Sequence, residues 1–200
     1  MLALRGANHV QGDPHITTYE LPGDDRLKEV LAAVMDEYHP HLRDAGLWVD
    51  ILLAHADTDE NGDANGPALK LHGYQCCATI RILGLKDRVA GRGDVELLLD
   101  GDRYDTWTED QLRAIFDHEL THLELKVSDD GCVKRDDINR PLLRLRNHDH
   151  QFGWFDCVAR RHGHNSIEIQ EAEKLMSTAE TRQLYLPGMP EIVTKRAKRG

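Results

Sequence analysis

Along residues 108–126 the apolar positions Leu112, Ile115, Phe116, Leu120 and Leu123 recur at spacings of three and four, the period of a helix with one buried face. Thr108 stands where an N-cap belongs, Gln111 completes a capping box, and Glu109 and Asp110 suit the positive end of the helix dipole. The pattern predicts a helix from Thr108 to Lys126. An earlier helix is predicted from Asp24 or Asp25 to Gly46, with Leu27, Val30, Leu31, Val34, Tyr38 and Leu42 as its buried stripe and Pro40 as a kink or early stop. Between them, Leu47–Ala54 is a short apolar run that reads as a central strand, and Asp94–Asp100 reads as a strand feeding the later helix. Residues 69–90 fit either period; the alternation over Ala78–Leu83 favours a strand followed by a turn. Downstream, Ser128–Gly131 is a turn signal and Pro141–Arg146 is strand-like. Helices are expected over Asp149–Arg161, with Phe152, Phe155 and Val158 inward and Gly163 as the stop, and over Ser166–Ala179, the latter peripheral.

Strands interleaved with helices predict one α+β domain over residues 23–180, a mixed sheet packed on the 108–126 helix and its neighbours. Residues 1–22 read as a loose arm and 181–200 as a tail with a basic end. A length of 200 residues with 40% hydrophobic content supports a core of that size. The formal net charge of −10 repels nucleic acid, so no strong autonomous nucleic-acid binding is expected. There is no apolar run long enough for a membrane span and no signal-peptide core in Met1–Val10, and the expected location is the cytoplasm of whatever cell makes the chain. The four cysteines, Cys76, Cys77, Cys132 and Cys157, lack C-x-x-C spacing and are expected to be free thiols.

The candidate chemistry sits inside the predicted 108–126 helix. His118-Glu119-Leu120-Thr121-His122 is an H-E-x-x-H motif. Two histidines four apart on a helix project from one face, so both imidazoles reach one metal ion, and the glutamate beside them suits proton transfer rather than ligation. Zinc needs a third protein ligand and an open fourth position. The extended metzincin pattern fails, because Leu125 stands in place of its glycine and Ser128 in place of its third histidine. His148, in Arg146-Asn147-His148-Asp149-His150-Gln151-Phe152, is the preferred third ligand, with Asp149 orienting an imidazole or favouring a helix N-terminus. His150, His162 and His164 are rival donors, as are Glu168 and Glu171. Tyr104, Arg146 and His150 are candidates for stabilising an oxyanion. Asp57–Asp63 imitates the start of a calcium loop, but Ala68 stands where the bidentate glutamate belongs, so a solvated hairpin or sheet-edge loop is expected instead.

The stretches Asp94–Leu97, Asp117–His122, His148–Phe152 and Arg160–Gly163, with Trp107 between the first two, resemble the phage metallopeptidase family and, more distantly, are similar to SprT-like zinc proteases. The resemblance spans residues 26–163. It implies a small zincin-like fold with a strand edging the cleft, Zn2+ held by His118, His122 and His148, and Glu119 as catalytic acid/base; it carries no substrate, and a protein or peptide substrate is what a peptidase of this kind is expected to act on. The neighbouring 94–100 strand is a candidate for presenting its backbone to that substrate. A second class of function is a metal-containing adaptor: Gln183–Leu186 resembles peptides that bind the sliding clamp of replication machinery, although Pro187 departs from their pattern.

Overall fold

The computed structural model describes residues 16–23, 25–58, 61–64, 66–71, 74–149 and 154–181. His150, the clamp-like Gln183–Leu186 and the basic end of the tail lie outside the described residues. Helix α1 (Arg26–Tyr38) follows Asp25 and buries Leu27, Val30, Leu31, Val34 and Met35. Pro40 divides the predicted helix in two. A residue before proline avoids helical backbone, and His39 accordingly has φ −129° and ψ 44°. Pro40 then takes the first position of α2 (Pro40–Asp44), where its missing N–H costs nothing. Gly46, at φ +78°, turns the chain toward strand β2 (Val49–Ala56).

The main sheet has the order β1 (Ile16–Glu20), β2, β6 (Val95–Asp100), β5 (Ala78–Ile82). β2 and β6 run parallel, and the outer strands β1 and β5 are antiparallel to their neighbours. Register places Ile51 beside Leu97, Leu53 beside Leu99 and Ile80 beside Leu97, so these share the face that carries the core. The intervening positions carry charge: Arg92 bridges Asp50 and Glu96 at 2.8 Å each, and Arg81 reaches Glu96 at 2.6 Å. As expected, β2 is internal. β6, however, is paired on both sides, which saturates its backbone, so among the described residues the strand with an unpaired edge, beside helix α4 (Glu109–Thr121), is β5.

Helix α4 (Glu109–Thr121) begins as its sequence predicts: Thr108 accepts from the Gln111 N–H at 3.2 Å, and the Gln111 side chain accepts from the Thr108 N–H at 2.9 Å. It packs against α1, and Leu112, Phe116 and Leu120 join Leu27, Leu31, Val34, Leu97 and Leu99 in one core. Phe116→Ala should lower unfolding free energy by about 3–5 kcal/mol in a urea titration, because this side chain is wholly buried. The helix ends at Thr121 rather than Lys126. Leu123 and Leu125 belong instead to strand β7 (Leu123–Leu125), opposite Leu145 and Leu143 of β8 (Leu143–Leu145).

Two short strands, β3 (Lys70–Leu71) and β4 (Tyr74–Gln75), pair ahead of β5. Thr58 bridges Ala64, in keeping with a hairpin-like acidic loop. Where a turn is expected after β5, the chain forms helix α3 (Leu85–Val89). Its inward residue is Arg88, which donates to the Leu83 and Pro141 carbonyls at 3.0 Å and to Asp136 at 2.9 Å, while Leu85 and Val89 face outward. A helix anchored by a buried arginine escapes a search for apolar stripes. Helix α5 (Asp156–His162) starts later than predicted, with Phe155 and Val158 fully buried, and ends at Gly163. Helix α6 (Ile167–Thr181) follows Ser166, whose hydroxyl accepts from the Ile169 N–H at 3.3 Å. No helix among the described residues is long and apolar enough to cross a membrane.

Candidate metal centre

Helix α4 presents His118, and His122, its C-cap with backbone still helical at φ −68° and ψ −16°, follows one turn on; the segment leaving β8 brings His148 to them. One nitrogen from each of the three rings lies within 4.8 Å of the others, and the Nε2 atoms of His118 and His148 are 3.2 Å apart. Two nitrogens bound tetrahedrally to one zinc at about 2.0–2.1 Å stand roughly 3.3 Å from each other, so the spacing suits a shared ion. Phe155 lies under all three rings, its centroid 5.0 Å from His118 and 4.8 Å from His122 and His148. Its burial gives the cluster an apolar floor.

The second ring nitrogens are also held. His122 Nδ1–H donates to the Arg146 carbonyl at 2.9 Å, and the Arg146 N–H returns a bond to the His122 carbonyl at 2.7 Å. A carbonyl only accepts, so the His122 proton sits on Nδ1 and the lone pair on Nε2 is directed away from it. His118 Nδ1–H donates to Oε1 of Glu168 at 2.8 Å. Burial, with His118 and His148 nearby, pushes the His122 pKa down to about 4, and burial also lowers that of His148. For His118, burial acts downward too, but the bond to Glu168 and the surrounding carboxylates outweigh it and raise the pKa. Neutral imidazoles are the form that binds metal, and three of them suit zinc and its transition-metal neighbours.

Glu119 is buried beside this cluster. Burial raises its pKa; the adjacent His118 ring and the Ile80 backbone N–H, which faces it from β5, oppose that rise, and the nearby Glu168 carboxylate adds to it. Its neighbour Asp117, itself fully buried, points elsewhere, into a junction of donors. There it accepts from His39 Nε2 at 2.7 Å, His162 Nε2 at 2.9 Å and Arg161 at 2.8 and 3.0 Å. Burial opposes its ionisation, yet these donors hold its carboxyl well below the usual carboxylate range. The break at Pro40 is what frees His39 to join.

Rival site residues fall out differently. His162 closes α5, a helix end as expected, with its side chain turned in on Asp117 at 2.9 Å, and His164 pairs with Glu173 at 2.7 Å in solvent. Glu168 approaches the cluster only through His118 Nδ1. Asp149 orients no imidazole; it pairs with Arg146 and accepts from the Asp156 N–H in the first turn of α5 at 3.1 Å. Arg146 lies 5.0 Å over Phe155, Tyr104 packs against the core, and Trp107 is buried. Sequence reasoning missed the pairing of Glu168 with His118 and the roles of Asp117 and His39, which join residues 50 and 78 positions apart. No spacing rule spans such distances.

Asp117→Asn should cost about 3–5 kcal/mol at neutral pH, because it strips the charge from a buried partner of Arg161. A carboxyl with a depressed folded pKa stabilises the fold above its unfolded pKa of about 3.9 and loses that contribution as pH falls further. The gap between parent and variant should therefore narrow only below about pH 4. Urea unfolding of the metal-free proteins across pH checks this; a gap independent of pH would refute the charge-based account.

Fold and site together define a small α+β protein built around a helix-borne three-histidine cluster able to hold one metal ion, with a buried glutamate beside it. A family model described as "Putative phage metallopeptidase" matches residues 20–180, and the chain belongs to that family. Comparison with curated proteins and with solved structures gives no significant match. The matched span includes His118, Glu119, His122, His148 and Glu168.

Proposed function

We propose that the chain is a zinc-dependent peptidase in which His118, His122 and His148 hold the metal and Glu119 is the general acid/base. The observation that carries this reading is the convergence of three imidazole nitrogens beside a buried glutamate borne on the same helix as two of them. Zinc, when bound, polarises a carbonyl and lowers the pKa of water toward about 7. Glu119 accepts a proton as water attacks the peptide carbonyl and delivers it to the leaving amine. Burial raises its pKa and makes it a better base than an exposed carboxylate.

The open edge of β5 supports a substrate role that sequence alone suggests for β6. An extended peptide added along that edge forms main-chain hydrogen bonds with it and lies beside Glu119, which the Ile80 N–H already faces. The substrate is therefore an unfolded or extended segment of protein. Purified protein should contain about one zinc per chain by elemental analysis and should cleave a denatured protein faster than the same protein folded. A chelator should stop cleavage, and zinc should restore it. Failure of the zinc-loaded protein to cut denatured, native or DNA-bound proteins would sink the reading.

A further inference from the structure

We propose that Glu168 is a positioning residue of this centre: from the first turn of α6 it holds His118 in the tautomer and orientation that directs Nε2 toward the other two imidazoles. The proposal rests on the metal-binding reading of the three histidines. Glu168 is 2% exposed, its Oε1 accepts from His118 Nδ1 at 2.8 Å, and its Oε2 is buried without a hydrogen-bonding partner among the described residues.

Comparison with Asp117, one residue from His118 on the same helix, shows what is unusual. Asp117 is a structural junction, and both of its oxygens accept, from donors on three side chains. Among the described residues, Glu168 directs its one side-chain hydrogen bond at a ring of the cluster. What points to His118 is therefore where the one bond goes: among the described residues the buried Glu168 side chain bonds a ring of the cluster and no other part of the fold. The two histidines of α4 are also set differently. His122 is held by a neutral backbone carbonyl and His118 by a carboxylate, which leaves His118 the more electron-rich donor. This makes α6, which reads as peripheral in sequence, a supporting wall of the centre.

The test is zinc affinity, measured by competition with a chromophoric chelator, for the parent, Glu168→Gln, Glu168→Ala and the same Gln change in a His118→Ala background. The visible spectrum of the cobalt-loaded proteins is recorded alongside. Glu168→Gln keeps the shape, so the melting temperature of the metal-free protein should stay near that of the parent. Zinc affinity should fall by about 10-fold for Gln and up to about 100-fold for Ala, with a changed cobalt spectrum. In the His118→Ala background the Gln change should have no further effect. If the parent binds zinc and both Glu168 variants bind it equally well, the proposal is overturned while the metal site stands. An equal loss with and without His118 also overturns it, since Glu168 would then act through the fold. A parent that binds no zinc removes the metal-binding reading itself, and this proposal with it.

Discussion

Glu119→Gln is expected to lower peptide turnover by roughly 10²–10⁴-fold, the usual worth of a positioned acid/base, while zinc content and melting temperature stay near those of the parent. The amide has the size of the carboxylate and its carbonyl oxygen still accepts from the Ile80 N–H, but it cannot take up a proton at neutral pH. Stability should not suffer, because the raised pKa of Glu119 means that the fold disfavours its charge. Turnover, elemental analysis and a thermal melt on the same preparations separate the two effects. A variant that cleaves as fast as the parent removes Glu119 from the mechanism, and one that loses zinc in proportion to activity makes it a ligand.

His148→Ala should act on the metal first. His118 lies on α4 and His122 caps it, whereas His148 sits on an irregular segment between β8 and α5, so it closes the cluster from outside α4. Its removal should weaken zinc binding by more than the roughly 10–100-fold that outer partners contribute. The stability lent by the metal falls with it; at a free zinc concentration 100 times the dissociation constant that is about 2.7 kcal/mol. A chelator should therefore bring the parent's melting temperature down to that of His148→Ala and leave the variant unchanged. Equal zinc retention by both after dialysis would show that His148 is not a ligand. The assignment would then pass to His150, since Asp117 already holds His162.

How far the sequence could be read depended on the range of the forces involved. The start of α4 was legible because a Thr108–Gln111 capping box and a stripe of apolar residues are local signals. Its end was not, because Leu123 continues the helical spacing in sequence but, with Leu125, finds strand partners in Leu145 and Leu143. Pro40 announced a break, since its ring constrains the residue before it. α3 went unread because its buried residue is an arginine, and the later start of α5 because Asp149 stands off its first turn.

What the sequence determined by itself is that His118, Glu119 and His122 share one stretch of helix, for the helical period is a property of neighbouring residues. Only the tertiary structure decided that His148 arrives at the rings of His118 and His122, that Glu168 stands behind His118, that His39, Arg161 and His162 converge on Asp117, and that β5 rather than β6 borders the site. Each of these depends on which distant segments the core draws together. The hydrophobic effect that does so is non-directional and leaves no periodic mark between the partners it joins.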